Sequence, residues 1–198
     1  MENAKLKLLL GEVALNKDQK AYRDLYLAAY PMLHRFAFSI VKSKEDAEEI
    51  VSDFFVTIWQ KKEQLAELEN PKLYFFVSIK NLSINKLGIS KRHHAVFNEE
   101  YLVHFKSPFF NPGELLLSAE AVNKILGAIN ELPPKCKLIF RLIKEDGLKY
   151  SEVASLLTIS IKTVEAQMAI ALKRIRENYD FKAHFPEIHH LLSGKNNS

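Results

Sequence analysis

A chain of 198 residues, 47% hydrophobic and 26% charged, has the composition of a folded globular protein and excludes a disordered or fibrous one. Its net charge of +4 and pI near 9.0 suit a polyanionic partner without identifying one. The single cysteine, Cys136, excludes an internal disulfide and fits a reducing cytosol; no apolar run approaches the ~20 residues that span a bilayer, and no charged start leads into an apolar signal core, so a cytoplasmic location without membrane insertion is expected.

Glycine is scarce and no segment alternates apolar and polar residues for long, whereas several windows repeat at helical spacing. The expectation is an all-α protein of two small helical domains joined by a flexible linker. The first strong helix starts at Asp18, a suitable N-cap, and runs through "QKAYRDLYLAAYPMLHRFAFSIVK", where Pro31 is expected to kink or divide it. Ser43 then caps "KEDAEEIVSDFFVTIWQKK", whose first turn is crowded with acids that favour the positive end of the helix dipole. Ala47, Ile50, Val51, Phe54, Phe55, Ile58 and Trp59 recur at steps of three and four, which makes one buried stripe.

Asn70 followed by Pro71 caps and opens "PKLYFFVSIKNLSINKL", and Gly88 stops it. Leu73, Phe76, Val77, Ile84 and Leu87 mark the expected buried face of this helix. Periodicity fails between about Ile89 and Gly113, where "SPFFNPG" sets two prolines and a glycine in seven residues. The expected division is therefore a helical domain over 1–90, a linker over 91–113, a second helical domain over 114–178 and a tail over 179–198.

In the second domain, "ELLLSAEAVNKILGAINEL" is halted by Pro133 and Pro134, and "KCKLIFRLIKED" is closed by Gly147. The stretch "YSEVASLLTISIKTVEAQMAIALKRIRE" then reads as a helix capped by Ser151, a break at Thr158 and Ile159, and a longer helix capped by Ser160. At about 100° per residue, Ile161, Val164, Met168, Leu172 and Ile175 fall inward, while Lys162, Thr163, Ala166, Gln167, Ile170, Lys173 and Arg174 face out. Hydroxyl and amide groups near the N-terminus, small Ala166 and cations toward the C-terminus suit a helix lying in a DNA major groove. A solvated helix in an ordinary bundle would show the same periodicity.

Two further surfaces stand out. Between residues 42 and 69 there are four basic residues against eight acidic ones, among them Glu45, Glu48, Glu49 and Asp53 on an outer face that would attract a basic protein. Between residues 80 and 94 there are Lys80, Lys86, Lys91 and Arg92 and no acid. Just before and within that basic run, Tyr74, Ser78, Asn81 and Asn85 form a stripe at steps of four, three and four, which could bind unstacked bases; the same stripe is also what a half-buried tyrosine beside solvated amides would look like.

The order of these features resembles the bacterial RNA polymerase sigma factors of the sigma-70 family, extracytoplasmic-function group, over about Tyr22 to Glu177. The resemblance is carried by "DAEEIVSDFFVTIW", "YFFVSIKNLSINKL", "INELPPKCKLIFRL" and "GLKYSEVASLLTISIKTVEAQMAIALKRIRE". It implies a factor that binds core RNA polymerase and promoter DNA, with no cofactor and no enzymatic activity of its own. Asp46, Glu49 and Asp53 would then contact core polymerase. Tyr74, Ser78, Asn81, Asn85, Lys86 and Arg92 would lie at the melted minus-ten element. Lys162, Thr163, Ala166, Gln167, Lys173 and Arg174 would contact the minus-thirty-five duplex. An anti-sigma factor, often membrane-anchored in this group, is the implied regulator. The chain departs from the family pattern at Ser52-Asp53, where Gln-Glu is common, and at Asn85 and Gly88, where an acid and later an arginine are frequent.

Two other readings compete. A helix-turn-helix transcriptional regulator with an N-terminal sensing or dimerisation domain explains the C-terminal helices but leaves the acidic helix and the Tyr74 stripe unused. A metal protein or enzyme is suggested only by His93-His94 and His189-His190; adjacent residues on a helix point about 100° apart and share a metal poorly.

Overall fold

The computed structural model describes residues 3–88 and 119–178, and those residues are helical with no strand among them. The order is α1 (Asn3–Asn16), α2 (Gln19–Val41), α3 (Lys44–Gln60), α4 (Lys62–Leu65), α5 (Pro71–Lys86), α6 (Ala119–Asn130), α7 (Pro134–Lys144), α8 (Tyr150–Leu157) and α9 (Ile161–Asn178). Helices α1–α5 pack on one another, α6–α9 do the same around α9, and α5 meets α8 where the two groups touch. No single described helix is long and apolar enough to cross a membrane. The expected linker, the tail and both histidine pairs lie outside the described residues.

Caps define several helix starts. The Asp18 carboxylate accepts from the amides of Lys20 at 2.7 Å and Ala21 at 3.3 Å. Ser43 Oγ accepts from the Asp46 amide at 3.1 Å, and Asn70 Oδ1 from the Leu73 amide at 3.1 Å. Each satisfies a donor that a helix leaves without an internal partner, a contribution of about 1 kcal/mol.

The aromatic residues set how α3 and α5 sit. Phe54 of α3 meets Phe75 of α5 edge-on at 4.9 Å between ring centres, and Phe36 of α2 meets Phe76 edge-on at 5.0 Å. Tyr22 donates its hydroxyl to the Phe55 carbonyl at 2.8 Å and packs on Trp59 at 5.0 Å. Phe54, Phe55, Phe75 and Phe76 are at most 2% exposed. Complete burial of side chains this large is the main apolar force holding the three helices at fixed rotations.

Four expectations are corrected. Helix α1 precedes Asp18 and buries Leu6, Leu9, Leu10, Val13 and Ala14, while Leu8 and Leu15 stay 63% and 83% exposed. Pro31 does not divide α2, which runs 23 residues through it; the proline ring is exposed, so the missing amide bond falls on the solvent side. In α5 the fully buried apolar residues are Phe75, Phe76 and Ile79, with Ile84 close behind, whereas Leu73 and Val77 are half-buried and Leu87 is 38% exposed. The helix packs between α2 and α3 with its inner face rotated toward Phe75, because that is where Phe54 waits. Finally, α8 starts one residue before Ser151: Glu152 Oε2 accepts from the Lys149 amide at 2.7 Å, and exposed Ser151 lies inside the first turn.

Candidate nucleic-acid and polymerase interface

The axes of α8 and α9 meet at 110°, joined by residues 158–160. Thr158 adopts the left-handed conformation at φ +56°, which ends α8, and Ser160 Oγ accepts from the Thr163 amide at 3.0 Å to start α9. That angle and connection are those of a helix-turn-helix. Val164, Met168, Ala171 and Ile175 are at most 1% exposed and anchor α9 against α7, α8 and α6. Against expectation, Ile161 is 47% exposed and Leu172 is half-buried. Ile161 sits at the first helical position, ahead of the point where α9 meets its neighbours.

On the outer side of α9, Lys162, Ala166, Lys173 and Arg174 are exposed, and Thr163 and Gln167 are half-buried. The Thr163 and Ser160 hydroxyls lie 2.8 Å apart, which fixes the rotamer at the N-terminal end. Inside, the Cys136 thiol donates to the Gln167 carbonyl at 3.1 Å, and burial pushes that thiol up to about 11. It stays protonated and pins α7 to the middle of α9. On the outer side Ile170 is 41% exposed, where an apolar side chain suits a thymine methyl group, whereas exposed Ile161 lies about 180° round the helix from it, at the edge of the inner face.

On α5, Tyr74 and Ser78 are half-buried, Asn81 and Asn85 are exposed, and Tyr74 leans edge-on against Phe75 at 6.4 Å. The stripe is therefore continuous, apolar-backed at its N-terminal end and hydrated at its C-terminal end. Exposed Lys86 bridges to α3: its Nζ lies 2.7 Å from both Glu49 carboxylate oxygens and 3.6 Å from Asp46 Oδ1. The hydrogen bond to Glu49 raises its pKa above the usual lysine value. Residues read separately as polymerase-facing and DNA-facing thus form one ion-pair cluster. Arg92 lies outside the described residues.

On α3, Glu49 and Asp53 are exposed and Asp46 is half-buried. Val56, 54% exposed, continues their face one turn further and escapes sequence reasoning, because a lone valine in an acidic helix carries no periodic signal. Among the described residues no three His, Cys, Asp or Glu side chains gather as a metal site.

With this geometry in hand, the comparisons with known proteins are specific. The family model described as "Sigma-70 region 2" matches residues 25–92, and "Sigma-70, region 4" matches residues 123–175. RNA polymerase sigma factor SigV of Bacillus subtilis is 27% identical over 145 residues, covering 72% of this chain and 81% of that one. "Probable RNA polymerase sigma factor RfaY" of Xanthomonas campestris pv. campestris is 25% identical over 161 residues, 80% of this chain, and the match spans only 40% of that relative's length. Among solved structures, CnrH in complex with the cytosolic domain of CnrY covers 91% of this chain and 99% of its own at 18% identity and TM-score 0.49. The sigma factor RpoE in complex with the anti-sigma factor NepR, from Bartonella quintana, covers 80% and 96% at 23% identity and TM-score 0.47. Region 2 falls on α2–α5 and region 4 on α6–α9, in the order in which the acidic, aromatic-amide and helix-turn-helix surfaces occur: the chain belongs to the sigma-70 family of RNA polymerase sigma factors.

Proposed function

We propose that the chain recruits core RNA polymerase to promoters by a two-point grip, α9 on the minus-thirty-five duplex and α5 on the melted minus-ten element. The observation that carries this reading is the occurrence of both matched regions in one chain, in order, on helices that present the required surfaces. On α9, Lys173 and Arg174 take phosphates, and Lys162, Thr163, Gln167 and Ala166 approach base edges. On α5, Tyr74 offers a stacking face, Ser78, Asn81 and Asn85 offer hydrogen bonds, and Lys86 attracts the backbone, as does Arg92 further along the chain. Extruding a base costs a few kcal/mol, and these contacts offset it. All covalent chemistry stays with the polymerase, so the chain acts as an initiation factor and not as an enzyme.

Asp46, Glu49 and Asp53 dock on a basic surface of core polymerase, with Val56 adding apolar contact. Residues 1–90 and 114–178 act as separate domains joined by 91–113, the protein works in the cytoplasm, and an anti-sigma factor, the kind of partner recorded with RpoE, restrains it. Run-off transcription from genomic fragments tests the whole reading: core polymerase freed of sigma factors is expected to start at discrete sites only when this chain is added, and uniform or absent initiation would overturn it. Separately, Asp53→Arg is expected to weaken pull-down of core polymerase at least tenfold while helical content is retained. Undiminished capture would remove Asp53 from the docking surface.

A further inference from the structure

Helix α1 is apolar on two faces. Leu6, Leu9, Leu10, Val13 and Ala14 turn inward and are buried where α1 packs on α2, α4 and α5. At about 100° per residue, Ala4, Leu8, Gly11 and Leu15 fall within about 60° of one another on the opposite side. Leu8 is 63% and Leu15 83% exposed, Ala4 is exposed, and a Cβ built on Gly11 would meet no atom within 4 Å. A single exposed leucine is ordinary, but two of them one heptad apart, on a helix whose core face is already complete, form a line. Its steps of four, three and four are those of a helix seam, with Leu8 and Leu15 at a positions and Ala4 and Gly11 at d positions.

Gly11 weakens the helix that carries it, since glycine loses more freedom on folding than alanine does, and no neighbour inside the chain requires its lack of a side chain. What it provides is external: a notch between Leu8 and Leu15. The shape that fills this line is the line itself, turned end for end. Rotation about an axis midway between Leu9 and Leu10 sets Leu8 against Gly11 of a second copy and Leu15 against its Ala4, each contact occurring twice by symmetry. Every layer then joins a large side chain to a small one. A parallel pair would instead set glycine against glycine across a void.

The charges agree with the antiparallel pairing. The two-fold rotation brings each flank of the stripe against the same flank of the second copy, so Lys5 and Glu12, which share one flank, meet across the pair with opposite signs. We propose that α1 docks a second copy of this chain, two α1 helices pairing antiparallel through Ala4, Leu8, Gly11 and Leu15 to form a two-fold dimer. The pairing is independent of the promoter reading given above. From Ala4 to Leu15 there are eleven residue steps of about 1.5 Å, so the seam is about 17 Å long. A single helix pair of that length buries less than the roughly 1,200 Å² of a standard stable interface, and the dimer is accordingly weak and concentration-dependent.

Sedimentation equilibrium of the full chain tests this. From about 5 to about 500 µM the wild type is expected to move from 22.8 kDa toward twice that mass. Leu8→Lys, at an exposed position, is expected to stay monomeric throughout. Gly11→Leu separates a fitted notch from general stickiness. It adds apolar surface and a better helix former where the free chain has room, yet it fills the space that Leu8 of the second copy enters, so association is expected to weaken at least tenfold. Lys5→Glu and Glu12→Lys are each expected to weaken association about threefold at low salt, and together to restore it. Urea unfolding at low concentration checks that each variant is folded. A wild type that stays at 22.8 kDa overturns the proposal and turns the stripe toward a helix of a different protein. A dimer that a folded Leu8→Lys leaves intact, or that Gly11→Leu strengthens, overturns the seam on α1. Failure of the double charge swap to restore association overturns the antiparallel register.

Discussion

The full chain carrying Lys173→Ala and Arg174→Ala is expected to bind a promoter duplex recovered by run-off with a salt slope shallower by about two units. Each phosphate contact contributes about −0.9 to the slope of log K against log salt, so two lost contacts remove about 1.8. Taking 1 M salt as the point where this contribution vanishes, affinity falls roughly thirtyfold at 0.15 M. The fold should be indifferent, because both side chains are exposed; Lys173 meets only Glu177, at 3.8 Å and one turn away, a kind of pair that contributes little. Fluorescence anisotropy over 0.05–0.4 M salt measures the slope. A lost affinity with an unchanged slope would reassign the two residues to base contacts, and no change in either would take them off the DNA.

The second large effect concerns Asp146 and runs opposite to that of most carboxylates. Burial raises its pKa to about 6, against the pull of Arg35 from α2 and Lys72 from α5 and with the push of neighbouring Glu145. Glu145 itself is raised by burial against Arg35 and Arg141. A carboxyl whose pKa is higher when packed than when free binds its proton more tightly in the packed state. The resulting stabilisation is full below about pH 3.8 and is lost as pH rises through about 6. The wild type should therefore lose about 2–3 kcal/mol between pH 4 and pH 7 relative to Asp146→Asn, because each tenfold difference in proton affinity between the packed and free carboxyl is worth about 1.36 kcal/mol. Urea unfolding of both proteins across that range measures the difference. A difference that stays flat with pH would mean that Arg35 holds the carboxylate charged at no cost.

How far these sites can be read from the sequence depends on what kind of force sets each one. Helix starts fixed by a local cap are legible: Asp18, Ser43, Asn70 and Ser160 each bond an amide two or three residues on, a relation contained in a few letters. The four inward residues of α9 are only partly legible, since Ile161 obeys the period but sits ahead of the point where α9 meets its neighbours. The rotation of α5 is hidden because Phe75, Phe76 and Val77 all suit a core, and the choice among them belongs to Phe54 and Phe36 on other helices. Helix α1 escapes notice because Leu8 and Leu15 blur an apolar stripe that Leu6, Leu9, Leu10 and Val13 would otherwise draw. The bond from Arg35 to Asp146 is illegible altogether: the two are 111 positions apart and each looks like ordinary surface charge.

Among the described side chains of α9, only Val164, Met168, Ala171 and Ile175 are fully buried, with Thr163, Gln167 and Leu172 half-buried beside them. The outer positions can therefore change one at a time with little effect on folding. On the proposed reading of α9, promoter preference drifts by single substitutions over a scaffold that need not be rebuilt, and duplicated copies come to read separate sets of genes from one proposed docking surface for a shared polymerase.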